Sequence, residues 1–352
     1  MISTGSKKTM PYSPLPRISL IERPTPLEQL HRIGAELGHD ALFVKRDDVM
    51  ALGLGGNKVR GLEFWIGEAM SQDCDMLLVA GQPVSNQCRL TAAAAAKTGL
   101  DCVILHNADR PARIEGNLLL NHLYGAEIRY LGPLDEPARQ IAVEEMAHEL
   151  RKAGRRPYII GDPVLGAAGY VVAAEELLRQ ASETVGSFEH IVMPVSMGPT
   201  QAGFLYGLLH GGYTGKVHVI SVEYERDEMV ARIETIFAAV SEKLGVLENA
   251  PSTIARYDDS FLGPGYGMAS PESAQAMKRF TTSEGLLLEP TYTAKPFAAL
   301  LSMIEDGSIP KSAPVCALHT GGVPSLFVSS TLARKTVVLA MTRAFGFPGS
   351  AP

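Results

Sequence analysis

Residues 53–60 read Gly-Leu-Gly-Gly-Asn-Lys-Val-Arg and come directly before a helix-like run from Leu62 to Met70. Glycines let a backbone approach a bound ligand closely and adopt conformations that other residues avoid. Asn57 supplies a short amide that can steer a neighbouring polar atom. A lysine held in such a pocket can lose its proton and form a Schiff base with an aldehyde. We therefore interpret Lys58 as the attachment point for pyridoxal 5'-phosphate (PLP).

The composition is that of an ordinary globular protein, since 46% of the residues are hydrophobic and 20% are charged. A length of 352 residues suits two domains or one large α/β unit. The net charge of -6 argues against a nucleic-acid partner, and no segment is long and apolar enough to enter a membrane. The four cysteines lack metal-type spacing and are typical of reduced thiols, so we expect a cytoplasmic protein without a metal.

Short apolar runs bounded by turn signals alternate with longer helical stretches, a pattern that predicts parallel βα units. We identify eight strands and nine helices, and four of the strands form a self-contained group between residues 76 and 160. This predicts a small inserted α/β domain at residues 61–165 and a large PLP-binding domain at residues 17–60 and 166–345. Residues 1–16 are predicted to be a flexible arm and residues 346–352 a tail.

A polar segment follows the predicted strand at residues 76–80. Ser85, Asn86 and Gln87 place side-chain donors beside the free N–H groups of a helix start, and such a place favours a carboxylate. The alternative is an ordinary Ser/Asn helix cap. Together with the lysine turn, the pattern favours a site for a substrate carboxylate.

A second small-residue loop, Ser196–Gly203, also comes immediately after a predicted strand. Successive N–H groups and the helix dipole at such a loop favour a phosphate dianion. Pro199 removes one donor, although proline is tolerated in the first turn of a helix. The alternative is a plain turn between a strand and a helix.

Three further loops carry aromatic or histidine side chains where α/β sites collect. Tyr266 lies in a glycine-rich loop, Tyr292 lies close to a predicted helix start, and His319 follows the last predicted strand. Taken alone, the tyrosines are more typical of core aromatics and the histidine of a core residue with satisfied hydrogen bonds. The charged run at residues 45–48 is interpreted as a solvated turn, or as an anchor before the glycine turn.

These segments resemble the family of D-cysteine desulfhydrases and 1-aminocyclopropane-1-carboxylate (ACC) deaminases. The resemblance extends from about Pro24 to Pro324 and is strongest in residues 45–48, 55–64 and 85–87. It implies a PLP-dependent fold of the tryptophan synthase β type (fold type II) with two parallel-sheet α/β domains. It also implies a homodimer and a small amino-acid substrate.

The resemblance implies roles for the cofactor site. Lys58 would hold PLP and later move the substrate α-proton, Asn57 would bind the ring hydroxyl oxygen, and Thr293 would face the pyridine nitrogen. The phosphate would bind at Met197, Gly198, Pro199 and Thr200, and Gly321 would also contact the cofactor.

Other positions are implied to bind the substrate. Ser85, Asn86 and Gln87 would hold its carboxylate, and Ser85 would assist proton movement. Tyr292 would be catalytic, with Tyr266 and His319 close to the substrate. Departures from the family pattern at Val84, Pro199 and Ala294 lie around the substrate, so cysteine itself need not be the natural one.

Thr293 bears on the type of reaction. The related deaminases carry a glutamate there, which keeps the ring nitrogen protonated, whereas a neutral hydroxyl stabilises that form less. A weaker electron sink suffices for elimination, because the departing group takes up the electrons. We therefore expect a PLP-dependent lyase that releases pyruvate, ammonia and a leaving group such as sulfide from a β-substituted amino acid. Alternatives are a cysteate sulfo-lyase, an ACC deaminase-type activity, a β-replacement synthase and a non-catalytic PLP-binding protein.

Overall fold

The computed structural model describes residues 12–328. Their strands form two sheets, one of six strands in the order β1-β2-β10-β7-β8-β9 and one of four in the order β5-β4-β3-β6. Every described pair is parallel except β1 with β2. The strands are β1 (Leu27–Gln29), β2 (Leu42–Arg46), β3 (Met76–Ala80), β4 (Asp101–His106), β5 (Glu127–Tyr130), β6 (Pro157–Ile159), β7 (His190–Val195), β8 (Lys216–Ser221), β9 (Ala255–Asp258) and β10 (Val315–His319).

Helices connect the parallel strands, as this topology requires. They are α1 (His31–Leu37), α2 (Lys58–Ser71), α3 (Asn86–Thr98), α4 (Gly116–Leu123), α5 (Glu136–Lys152), α6 (Pro163–Thr184), α7 (Pro199–His210), α8 (Arg226–Leu244), α9 (Pro271–Glu284) and α10 (Ala294–Glu305). The α/β class with parallel sheets is thereby confirmed. All eight strands predicted from the sequence are present, with ends that differ by at most one residue.

The sequence analysis missed three short elements, β1, β9 and α1. The strands have only three and four residues, and most of their side chains are half-exposed or exposed, so they show no apolar run. Helix α1 has seven residues and begins after Leu30, which offers no side-chain cap. A helix start without a polar cap has no signature in the sequence.

The four-stranded sheet comes entirely from the middle of the chain, whereas the six-stranded sheet takes strands from both sides of it. We keep the boundaries at residues 61 and 165 as a proposal. Residues 1–11 and 329–352 lie outside the described residues, and with them most of the expected arm, the tail and the end of the large domain. Tyr12, within the expected arm, donates a hydrogen bond to Glu175 (2.7 Å) and packs edge-on against Phe64, so residue 12 is held against the fold.

Glycines allow α2, α6 and α7 to pack closely. A Cβ atom on Gly169 of α6 would collide with the backbone of Arg60 in α2, and one on Gly203 of α7 would collide with Ala167 in α6. Small residues at such crossings let helix backbones approach. The start of α2, which carries Lys58, is therefore positioned by a rigid three-helix layer.

The charged run at residues 45–48 is an anchor, and its interpretation as a solvated turn is wrong for Lys45 and Asp47, each 2% exposed. Arg60 donates to both carboxylate oxygens of Asp47 (2.7 and 2.8 Å) and also pairs with Glu176 of α6 (3.1 Å). Burial raises the pKa of Asp47, but the pairing with Arg60 outweighs it and lowers that pKa to about 2. The network joins β2, α2 and α6 beneath the glycine turn.

No helix within residues 12–328 is long and apolar enough to cross a membrane.

Candidate active site

A cavity of about 480 Å³ collects the predicted site residues. Its wall contains the starts of α2, α3 and α7, the loop after β10, and two tyrosines from separate loops. Helix starts and the carboxyl ends of parallel strands meet here, which is where α/β proteins bind ligands. Twelve of the fourteen candidate residues line the cavity: Asn57, Lys58, Ser85, Asn86, Gln87, Met197, Gly198, Pro199, Thr200, Tyr266, Tyr292 and Gly321.

Lys58 is the first residue of α2 and opens onto this cavity. The turn before it is held by main-chain hydrogen bonds, from Gly56 N–H to the Asp47 carbonyl (2.9 Å) and from Asn57 N–H to the Thr320 carbonyl (3.0 Å). Desolvation lowers the pKa of the Lys58 amine to about 8, and the carboxylate of Glu223 opposes that shift. A substantial fraction of this amine is therefore neutral, and so nucleophilic, near physiological pH.

The start of α7 has the geometry of an anion site. Gly198 is the N-cap with φ +102°, Pro199 is the first helical residue, and Gly198, Pro199 and Thr200 all line the cavity. Free N–H groups at a helix start favour an anion. A Cβ atom on Gly198 would lie 3.1 Å from Ile236 Cδ1, so the space suits glycine. Asn57 Nδ2 donates to Thr200 Oγ1 (3.0 Å), which connects the lysine turn to this loop.

The segment Ser85–Gln87 opens α3, as predicted. Ser85 is the N-cap, and its Oγ accepts a hydrogen bond from Cys88 N–H (3.3 Å), so it does serve as a helix cap. Its hydroxyl proton remains available to a ligand because capping uses only the acceptor. Gln87 Nε2 donates to Thr91 Oγ1 (3.2 Å). Capping and carboxylate binding are therefore compatible at this helix start.

Tyr266 and Tyr292 are in contact on the cavity wall. Their hydroxyl groups are hydrogen-bonded, and their rings pack edge to face with centroids 5.8 Å apart. Burial raises the pKa of both phenols, so both are neutral at physiological pH, and one hydroxyl group donates its hydrogen bond to the other. The Tyr292 loop is fixed by the buried carboxylate of Glu289, which accepts N–H groups from Thr291 (2.8 Å), Tyr292 (2.7 Å) and Thr293 (2.9 Å).

Thr293 and His319 do not line the cavity. The Thr293 hydroxyl accepts Glu289 N–H (2.8 Å) and is completely buried. His319 Nε2 lies 2.8 Å from the Leu287 carbonyl, and Nδ1 accepts Gly321 N–H (3.2 Å), which assigns a neutral ring protonated at Nε2. Burial lowers the pKa of His319, in agreement with that neutral form. The environment of His319 matches the core alternative, with Gly321 between the ring and the cavity.

The sequence analysis missed Glu223, which lines the cavity and accepts a hydrogen bond from Ser196 Oγ. It comes two residues after β8, so the rule that sites collect at the carboxyl ends of strands could have found it. It also missed Glu136 and Arg139 of α5 and Arg232 of α8, which line the same cavity. Arg232 and Glu136 form a salt bridge (3.2 Å) between the two sheet units.

Residues 18–321 match the family described as pyridoxal-phosphate dependent enzymes. The chain belongs to this family. D-cysteine desulfhydrases of Salmonella choleraesuis and Yersinia pestis are similar to it, with 38% and 37% identity over 322 residues, 89% of this chain and 95% of each relative. The protein is thus a PLP-dependent enzyme, similar to D-cysteine desulfhydrases.

Solved structures agree with this assignment. An ACC deaminase homologue has a TM-score of 0.83 and 32% identity, with 94% of this chain and 98% of the other covered. A threonine deaminase isoform from Solanum lycopersicum has a TM-score of 0.64 at 17% identity, with 90% of this chain and 84% of the other covered, and so supports the fold alone. The predicted fold type II, of the tryptophan synthase β type, is confirmed.

The cavity residues fit PLP, the family's cofactor. The Lys58 amine with its lowered pKa suits the aldehyde, and the start of α7 suits the phosphate. The loop after β10 has no room for a side chain at Gly321, because a Cβ atom there (φ +98°) would lie 2.7 Å from Gly56 Cα. Lys58, Gly198, Thr200 and Gly321 would hold the group.

Proposed function

We propose that the protein is a lyase that eliminates a β-substituent from a small amino acid, with a D-cysteine-like substrate and with pyruvate, ammonia and sulfide as products. The observation that carries the proposal is that the Lys58 amine, the Ser85–Gln87 helix start and the Tyr266–Tyr292 pair share one cavity. The similarity to D-cysteine desulfhydrases over 89% of the chain supports the substrate class.

The proposed roles follow from the geometry. PLP, when bound, withdraws electrons from the substrate α-carbon and so stabilises negative charge there. Lys58 removes the α-proton, because its amine is largely neutral at slightly alkaline pH. Asn86 and Gln87, at the helix start, hold the carboxylate, and the Ser85 hydroxyl assists the proton transfer. The neutral Tyr292 hydroxyl, supported by Tyr266, donates a proton to the departing group.

Lys58→Ala should abolish lyase turnover. Loss of the proton transfer alone lowers kcat by about 10²–10⁴-fold. The assay measures pyruvate and sulfide from D- and L-cysteine, and Lys97→Ala, at an exposed lysine of α3, is the matched control. Wild-type turnover by Lys58→Ala would contradict the proposal.

One observation favours the cysteate alternative. Arg139 lines the cavity, makes no ion pair with an acidic residue within residues 12–328, and contributes charge near Cys88. An unpaired guanidinium on the cavity wall suits an anionic β-substituent such as a sulfonate. Assays with cysteate and with ACC in parallel with cysteine decide between these substrates.

The remaining alternatives are separated by product analysis. Added thiols or amines would yield a new amino acid if the enzyme is a β-replacement synthase, and only pyruvate if it is a lyase. A non-catalytic PLP-binding protein would show no change in visible absorbance with any amino acid.

We also propose a cytoplasmic homodimer. The four cysteines are all free, which suits a reducing compartment. Sedimentation equilibrium of the purified protein tests the dimer.

A further inference from the structure

Arg89, the fourth residue of α3, is completely buried but has no acidic partner within residues 12–328. Its guanidinium donates only to the carbonyl groups of Gly53 and Gly55 (3.0 Å to Gly55) and, at 3.5 Å, to Asn86 Oδ1. Its Nε has no partner there either. Burial lowers the pKa of Arg89 to about 10, so the group remains a cation at neutral pH. A buried, unpaired charge is costly and calls for a functional reason.

The acceptors of Arg89 belong to two parts of the site. Gly53 and Gly55 lie in the turn that leads to Lys58, and Asn86 lies in the segment that we assign to the substrate carboxylate. A Cβ atom on Gly56 would lie 3.7 Å from Arg89 Nη2, so the guanidinium is in close contact with the turn. One side chain therefore connects the lysine turn with the start of α3.

The same contacts orient the amide of Asn86. Its Oδ1 accepts from Asn117 Nδ2 (3.0 Å) and faces Arg89 Nη2 (3.5 Å). The opposite orientation would place an NH₂ group against two donors, so the network assigns Oδ1 to the protein side. Asn86 lines the cavity, and its Nδ2 is then the amide atom that faces a ligand.

We infer that Arg89 and Asn117 are positioning residues that hold Asn86 Nδ2 as a donor to the substrate carboxylate and join this donor to the Lys58 turn. Asn117 is itself fixed, because its Nδ2 also donates to the Val84 carbonyl (2.6 Å). The buried cation adds an electrostatic preference for a carboxylate at the start of α3. The inference rests on the proposed assignment of Ser85–Gln87 to the carboxylate.

The test compares two non-reacting ligands on the PLP-loaded enzyme. Alanine, in the enantiomer that the wild type binds, carries a carboxylate but no β-leaving group, and ethylamine is the same molecule without the carboxylate. Dissociation constants are measured by visible absorbance for Arg89→Met, Arg89→Lys and Asn117→Leu. Arg151→Met, at an exposed arginine, is the control.

Arg89→Met and Asn117→Leu should weaken alanine binding by about ten- to a hundredfold, the effect of one hydrogen bond to a charged group, with ethylamine affinity changed less than about twofold. Arg89→Lys keeps the cation and should recover part of the loss. Equal weakening of both ligands would show a purely structural role and overturn the inference, as would unchanged alanine affinity. If Arg89→Met does not fold, the other two variants decide. These binding measurements do not depend on elimination, so a wild type that binds alanine but forms no pyruvate from D- or L-cysteine contradicts the proposed function alone.

Discussion

At the scale of single residues, the chemistry depends on how the cavity sets the charge of Lys58. An exposed lysine is protonated at neutral pH and cannot attack an aldehyde or remove a proton. Desolvation lowers the Lys58 pKa, and the carboxylate of Glu223 opposes this because it stabilises the ammonium form. The net pKa is about 8. The two opposing effects keep the amine reactive and still able to return a proton.

This balance predicts a pH dependence for cofactor attachment. The rate at which PLP reacts with the apoprotein should rise with pH and reach half of its maximum at about pH 8, since only the neutral amine attacks. Glu223→Gln should move the midpoint to lower pH, because the ammonium form loses its stabilising charge. Stopped-flow absorbance measures both curves. A midpoint close to that of free lysine, or an upward shift in Glu223→Gln, would contradict the assignment of the pKa.

At the scale of elements, the site is made from the ends of helices. Lys58, Ser85–Gln87 and Gly198 each lie at the start of a helix, and the free N–H groups at the starts of α3 and α7 are the natural binding groups for a carboxylate and a phosphate. Gly198 at the start of α7 is held at φ +102°, a conformation that costs other residues about 1–2 kcal/mol.

Gly198→Ala should therefore weaken PLP binding as well as stability. The added Cβ would lie 3.1 Å from Ile236 Cδ1, so the loop or the Ile236 side chain has to shift, and a loop shift that costs about 1.4 kcal/mol lowers the PLP affinity about tenfold. Gly212→Ala is the matched control, because Gly212 has φ +78° but no atom within 4 Å of the added Cβ. Equilibrium titration of the apoproteins with PLP gives the comparison. Equal effects of the two substitutions on PLP affinity would mean that Gly198 is required only for its backbone conformation and not for the phosphate site.

At the scale of the whole molecule, a buried ionic network holds the lysine turn in place. Arg60 connects Asp47, which directly follows β2, with Glu176 of α6, and the Asp47 carbonyl accepts Gly56 N–H just before Lys58 (2.9 Å). Lys45 and the Tyr170 hydroxyl complete the network. The lysine turn is thus attached to the core of the large sheet.

Asp47→Asn should destabilise the fold by about 3–5 kcal/mol, because it leaves Arg60 without one of its two buried partners. Glu127→Gln, which removes an exposed pair with Arg129 (2.7 Å), should cost about 0–1 kcal/mol. The folded pKa of Asp47 is about 2, below its unfolded value of about 3.9, so its contribution is present above that value and is lost as pH falls towards 2. Urea unfolding of both variants between about pH 3 and 7 measures these effects. Similar losses in the two variants would contradict the role of the network.

The alternation of strands and helices was predictable because apolar periodicity and turn residues act over a few neighbours. The same locality exposed Lys58, Ser85–Gln87 and Gly198, since each motif is one continuous turn at a helix start. In the sequence, Arg89 is one of several polar residues in α3, and its role depends on Gly53, Gly55 and Asn117, which are distant in the chain.

By itself, the sequence determined the α/β class, the family and the lysine that we propose for the cofactor, because these depend on local patterns and continuous motifs. Tertiary structure alone decided that Glu223 acts on the charge of that lysine, that His319 lies behind the cavity wall, and that Asp47 is buried beneath the turn. Burial and electrostatic coupling arise between segments that only folding brings together, and no pattern of neighbouring residues encodes them.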